Sequence, residues 1–156
     1  MEPAWSASWA WGLSLISVTT AVHAFGIVMI FRGLQWVGQI TRSQEQDIRH
    51  PTTLAVLLIA IVGLLLSILH GFEAALWAAA YLLVGAIGSQ RDAVLYSLDS
   101  FTTRGASGLE LGPEWRLMGA LEAADGMLLF GISTAFVFTV MYRIVGTTDD
   151  IERPHL

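Results

Sequence analysis

These 156 residues include no cysteine and no lysine. Without cysteine there is no disulfide and no thiolate metal site. Charge is scarce too: 13% of the residues carry it, against roughly 25% in a soluble domain. The eight basic residues, all arginine, are outnumbered by thirteen acids. A net charge of −5 with no basic, aromatic-rich patch gives nucleic acid nothing to bind. Also missing are a phosphate-binding glycine loop, a Ser/His/Asp arrangement and a metalloprotease motif. No enzyme activity, no bound metal and no organic cofactor are expected. The chain does not repeat itself internally, which argues against a transporter built from two similar halves.

What is abundant is apolar sequence, 54% of the chain. A run of about 18 or more apolar residues reads as a membrane helix, and residues 9–31, 52–87 and 117–142 qualify. The first segment has no Asp, Glu or Arg, and its one titratable group is His23. The second holds only His70 and Glu73, the third only Glu122 and Asp125. Residues 9–31 do not read as a secretory signal: no arginine precedes them, and they exceed the usual core of about 7–15 residues. The polar stretches between are too short to fold as separate domains. The expectation is one all-α, multi-pass membrane domain in a prokaryotic inner or plasma membrane.

As one helix, residues 52–87 would extend about 54 Å at 1.5 Å per residue, well beyond a hydrocarbon core of roughly 30 Å. They form either one long tilted helix or two short spans turning at His70-Gly71-Phe72-Glu73. With three spans in all, Arg32, Arg42, Arg49, Arg143 and Arg153 lie inside, as the positive-inside rule asks. With four, the three loop arginines fall outside. In the three-span arrangement Trp5, Trp9 and Trp11 mark the outer interface and Trp36 the inner one. Three transmembrane helices are the expectation, with four as the alternative.

Between the second and third apolar segments lies Tyr-Ser-Leu-Asp-Ser-Phe-Thr-Thr-Arg-Gly-Ala-Ser-Gly-Leu-Glu-Leu, residues 96–111. It is too polar to span a membrane. A semi-polar segment ending in a Thr-Thr-x-Gly turn between two membrane helices has the pattern of a re-entrant pore loop. Irregular backbone at membrane depth must be buried in protein or line a water-filled path. Residues 91–103 read as a short helix, with Ser89 as its cap and Ala93, Leu95, Tyr96 and Phe101 as apolar contacts. Gly105 and Gly108 follow, permitting torsions that other residues avoid. The chain divides into an N-terminal helix and cytoplasmic loop (1–51), a pore module (52–143) and a short polar tail (144–156). Within the module lie an outer helix 52–87, a pore helix 91–103, a filter loop 104–111 and an inner helix 116–143.

Asp92-Ala93-Val94-Leu95-Tyr96-Ser97-Leu98-Asp99-Ser100-Phe101-Thr102-Thr103-Arg104-Gly105 resembles the pore helix and filter entry of the potassium-channel superfamily. That family's pattern is an alanine-aromatic-serine pore helix running into Thr-Thr-Val-Gly-Tyr-Gly-Asp. Trp115-Arg116-Leu117-Met118-Gly119-Ala120-Leu121-Glu122-Ala123-Ala124-Asp125-Gly126 is similar to its inner helix, which begins with an Arg and a Glu and carries a Gly hinge. The likeness, to bacterial two-transmembrane pore modules in particular, covers roughly residues 64–142. It implies a homotetramer around one axis with a re-entrant pore helix and filter loop in each subunit. The selectivity filter would be Thr102, Thr103, Arg104, Gly105, Ala106, Ser107 and Gly108, supported by Asp99, Glu110 and Glu122. The filter is degenerate: Arg104 stands for the family's valine, Ala106 for its tyrosine, Ser107 for its second glycine and Gly108 for its aspartate. Potassium selectivity rests on rings of backbone carbonyls, so these changes imply a wider, less selective filter.

Arg104 reads two ways. Pointing behind the filter it needs a partner, because an unpaired buried charge costs several kcal/mol, and Asp99 lies five residues earlier. Facing the axis, four Arg104 side chains would attract anions. Between residues 91 and 142 six acids stand against three arginines, a balance of −3 per subunit and −12 per tetramer. That balance favours cations at the mouth.

Glu122 and Asp125, three apart, share one face of the inner helix, with Gly126 on the same side. Glu122 is expected to bond the pore-helix backbone or Arg116, and Asp125 to line a cavity. Gly126 and Gly131 either bend the helix as a gate or pack against a neighbour. His23, His70 and Glu73 form a candidate polar cluster. It is a buried contact tying the outer helices together, a zinc-type ligand set, or a proton relay or pH sensor. No regularly spaced arginines mark a voltage sensor.

Three functions follow: a weakly selective cation channel, an anion-selective channel with Arg104 in the filter, or a non-conducting membrane assembly or sensor protein. The first is favoured, with a monovalent inorganic cation as the permeant species. Identical subunits, the lipid bilayer and inorganic ions are the expected partners.

Overall fold

A computed structural model describes residues 3–43, 51–105 and 108–152. It contains four helices: α1 (Pro3–Ser43), α2 (Pro51–Leu83), α3 (Gln90–Phe101) and α4 (Arg116–Glu152). Among the described residues there is no strand. Three helices are long and apolar enough to cross a membrane, over Trp5–Gln39, Thr52–Leu83 and Arg116–Ile144.

The ambiguity at His70-Gly71-Phe72-Glu73 resolves to one span, since α2 runs through it unbroken. A lone glycine costs a helix about 1 kcal/mol, whereas a turn at that depth would strip several backbone groups of partners. Helix ends differ from the sequence reading. The first helix continues to Ser43, into the stretch assigned to a loop. The second stops at Leu83 rather than 87, because Gly85 takes a left-handed φ of 70°. Its N–H bonds the Leu82 carbonyl at 3.2 Å and the Ala86 N–H bonds Tyr81 at 2.9 Å, a Schellman cap. The short helix ends at Phe101 rather than 103. α4 runs to Glu152, past the 143 boundary and into the tail; the first proline after its start is Pro154.

Contacts fix the directions. Ser8 donates to the Glu114 carbonyl, Thr19 bonds Asp125, His23 meets Ser133, and the Arg143 guanidinium lies 5.1 Å above the Phe31 ring. So α1 and α4 run parallel. Between them α2 runs the opposite way, matching Tyr81 to Glu122, Trp77 to Asp125 and His70 to Ser133. Trp5, Trp9 and Trp11 are exposed at one end of α1 and Trp36 at the other. From Trp9 to Trp36 is about 40 Å of helix, the spacing between the two interfaces of a bilayer.

Helix α3 starts beside the end of α2 and wedges between α2 and α4. Ser97 donates to the Ala74 carbonyl at 2.6 Å and Ser100 to the Gly119 carbonyl at 2.8 Å. Phe101 reaches the level of His70 and Phe130, near the middle of both long helices. The chain then returns to Glu114, beside Ser8, at the end from which it came. The short helix thus goes halfway down the bundle and the following segment climbs back.

Lipid is as apolar as leucine, so burial alone does not hold such helices together. The interior instead carries polar and small residues. Ser8, Thr19 and His23 of α1, Glu73, Trp77 and Tyr81 of α2, and Glu122, Asp125 and Ser133 of α4 are all buried. Spacings of three, four or sums of these keep each set on one face.

Candidate functional site

The lower end of α3 is the most unusual piece of backbone. Its start is ordinary: Ser89 Oγ accepts from the Asp92 N–H at 3.4 Å. At its end, Thr103 N–H bonds the Ser100 carbonyl at 2.8 Å and Arg104 N–H bonds the Asp99 carbonyl at 2.9 Å. That is the same Schellman pattern as at the end of α2, but the left-handed position is held by Thr103, at φ 58°. A β-branched residue pays there for its Cβ what Gly85 avoids. Replacing Thr103 by glycine should raise stability by about 0.5–1 kcal/mol, the conformational gain less glycine's larger chain entropy. A denaturation midpoint of the detergent-solubilised protein reads it; a lower midpoint would mean that the threonine side chain holds the turn.

The same turn orients Arg104. Its Nη1 lies 3.1 Å from Asp99 Oδ1, and the two side chains differ sharply in exposure, 67% against 3%. The carboxylate is buried under the loop while the guanidinium covers it from outside. Thr102 Oγ1 donates to the Leu98 carbonyl at 2.7 Å, which also accepts the Thr102 N–H at 3.1 Å. Thr102, Thr103, Arg104, Gly105 and Gly108 are exposed, and both glycines adopt φ 83°. Ala106 and Ser107 lie outside the described residues.

Behind α3 stands Glu122, buried, with Tyr81 donating to its Oε2 at 2.7 Å and Ser97 bonded to its Oε1. Ser97 thereby joins α3 to both long neighbours. The partners of Glu122 are thus side chains of α2 and α3, not the α3 backbone or Arg116. Arg116 pairs instead with Glu110 at 3.3 Å on the surface, both well exposed. One turn below Glu122, Asp125 Oδ2 accepts from Thr19 at 2.7 Å and from the Trp77 indole at 3.0 Å. Its Oδ1 is buried without a hydrogen-bond partner in the protein. The α4 face carrying Asp125 turns inward onto α1 and α2.

Gly126 allows the closest approach in the structure. A Cβ there would overlap the Phe101 carbonyl oxygen and lie 2.9 Å from its carbon. Gly131 meets nothing within 4 Å. The first glycine is therefore a seat for the tip of α3; the second is open.

His23, His70 and Glu73 come together. His23 Nδ1 lies 2.9 Å from Glu73 Oε1, and His70 Nδ1 lies 3.1 Å from Oε2. The Ser133 hydroxyl is within 3.1 Å of His23 Nε2 and 3.0 Å of His70 Nε2. One ligand atom from each of His23, His70 and Glu73 falls within 4.8 Å of the others, a spacing that suits a metal ion as well. The His70 ring centroid also lies 4.3 Å from that of Phe130 and 5.8 Å from that of Phe101.

Sequence reasoning missed Thr19, Trp77, Tyr81 and Ser133 as partners. A signal existed: Glu73, Trp77 and Tyr81 recur every four residues on α2, and Thr19 precedes His23 by four.

No family model, curated protein or solved structure matches the chain.

Proposed function

We propose that the chain is the subunit of a homotetrameric ion channel with a potassium-channel-like pore module, passing cations with weak selectivity. The observation that carries this reading is that α3 descends to mid-depth, that Thr102, Thr103, Arg104, Gly105 and Gly108 beyond its end are exposed, and that Glu114 stands back at the end from which α3 started. Lipid would leave that backbone unsatisfied, so it must be covered by identical subunits or lie against water. Val94, Leu95 and Leu98 of α3 are exposed in the single chain, each above 40%, and in a tetramer they are the surface a neighbouring subunit covers.

Charge supports cations over anions. The carboxyl end of α3, the negative end of its dipole, points to mid-depth, and Asp99 neutralises Arg104. Glu122 and its partners brace the helix from behind. A second reading, anion selectivity, draws on the 67% exposure of the Arg104 side chain. Purified protein in a planar bilayer under a KCl gradient separates the two by the sign of the reversal potential.

A further inference from the structure

At the level where α3 ends, four side chains from three helices close a ring. The two Nδ1 atoms of His23 and His70 each meet one oxygen of Glu73, and the two Nε2 atoms both meet the hydroxyl of Ser133. Each of these four contacts requires one hydrogen. An ionised Glu73 supplies none, two neutral imidazoles supply one each, and Ser133 supplies one. Three hydrogens cannot close four bonds. The ring would hold two acceptors facing each other and one net negative charge, with His23 and Glu73 fully buried.

We propose that the His23–Glu73–His70–Ser133 ring is a proton-binding site that holds a fourth hydrogen and is electrically neutral when loaded. The extra proton either makes one imidazole an imidazolium against the Glu73 carboxylate or sits on Glu73 between two neutral imidazoles. Both arrangements complete all four bonds. Among the described residues, the titratable and charged groups facing the site are His23 from α1, His70 and Glu73 from α2 and Asp125 from α4, with the Ser133 hydroxyl and the Phe101 and Phe130 rings beside them. Asp125 acts on both His23 and Glu73, and when ionised it favours a proton in the ring.

A metal ion is the competing ligand for the same atoms. Every imidazole nitrogen and both carboxylate oxygens already lie 2.9–3.1 Å from a polar partner, so a metal would have to displace these contacts. A divalent ion on a single carboxylate would also leave the ring positive. A proton completes the bonds and the charge together. Losing it would open the ring between α1, α2 and α4 beside Phe101, at the tip of α3. This inference is independent of whether the protein conducts.

Nitrogen NMR of the histidine-labelled full-length protein, with carbon-labelled glutamate, counts these hydrogens directly. The pH is 8, above the free imidazole value of about 6.5. Variants His50→Gln and His155→Gln identify the signals of the other two histidines. One unprotonated ring nitrogen between His23 and His70 with an ionised Glu73, or two with a protonated Glu73, gives four hydrogens and supports the site. Two unprotonated nitrogens with an ionised Glu73 gives three and overturns it. Stoichiometric transition metal in the purified protein would overturn it too.

Discussion

Gly126→Val should abolish the native bundle, whereas Gly131→Ala, five residues on, should leave it unchanged or slightly stabilised. At Gly126 any side chain enters the Phe101 carbonyl, which is backbone and cannot rotate aside. Overpacking a well-filled interior costs about 1–3 kcal/mol when side chains can shift, and here the whole end of α3 must move. That movement would strip Ser100 from the Gly119 carbonyl and Ser97 from Glu122 and the Ala74 carbonyl. Buried polar groups left unpaired add about 1–3 kcal/mol each. The sum is comparable to the whole stability of a domain, roughly 5–15 kcal/mol. At Gly131 there is open space, and alanine gains up to about 1 kcal/mol of helix propensity. Thermal unfolding followed by size-exclusion profile distinguishes the two. Equal midpoints would mean that α3 is not seated on α4 at Gly126.

The second large effect falls on permeation. Asp99→Ala removes the carboxylate 3.1 Å from Arg104 and with it one negative charge from each loop. One such charge about 6 Å from a monovalent ion, at an effective dielectric of 20, changes its energy by roughly 3 kcal/mol. That is about a hundredfold against cations and in favour of anions. The sign of the reversal potential in a KCl gradient should therefore invert in Asp99→Ala and return in the double variant Asp99→Ala/Arg104→Gln. An unchanged sign in the single variant would mean that Arg104 lies too far from the ion path to matter.

The three spans were legible because hydropathy over some twenty residues outweighs any local detail, and the arginines broke the tie over α2. The Ser89 cap and the nearness of Asp99 to Arg104 followed from short-range spacing. His23 meets Glu73 across two helices, which no local pattern encodes. They were grouped only because ionisable residues are so few in these spans that each demands a partner. The partners themselves, Thr19, Trp77, Tyr81 and Ser133, carry no charge to mark them; spacings of four from His23 and Glu73 point to the first three, and nothing local points to Ser133. Helix ends were the least readable feature. Gly85 stops α2 through a left-handed turn, and Thr103 stops α3 through the same turn despite being a residue that resists it. Gly126 reads equally as hinge or seat until the carbonyl of Phe101 is found against it.

The reading of residues 90–115 as a loop beside a water-filled path is tested most directly by the reversal potential of the unmodified protein in a planar bilayer under a KCl gradient. The account predicts current that reverses close to the potassium equilibrium potential and changes little when sodium replaces potassium. Reversal near the chloride potential, or no current in any salt, would contradict it.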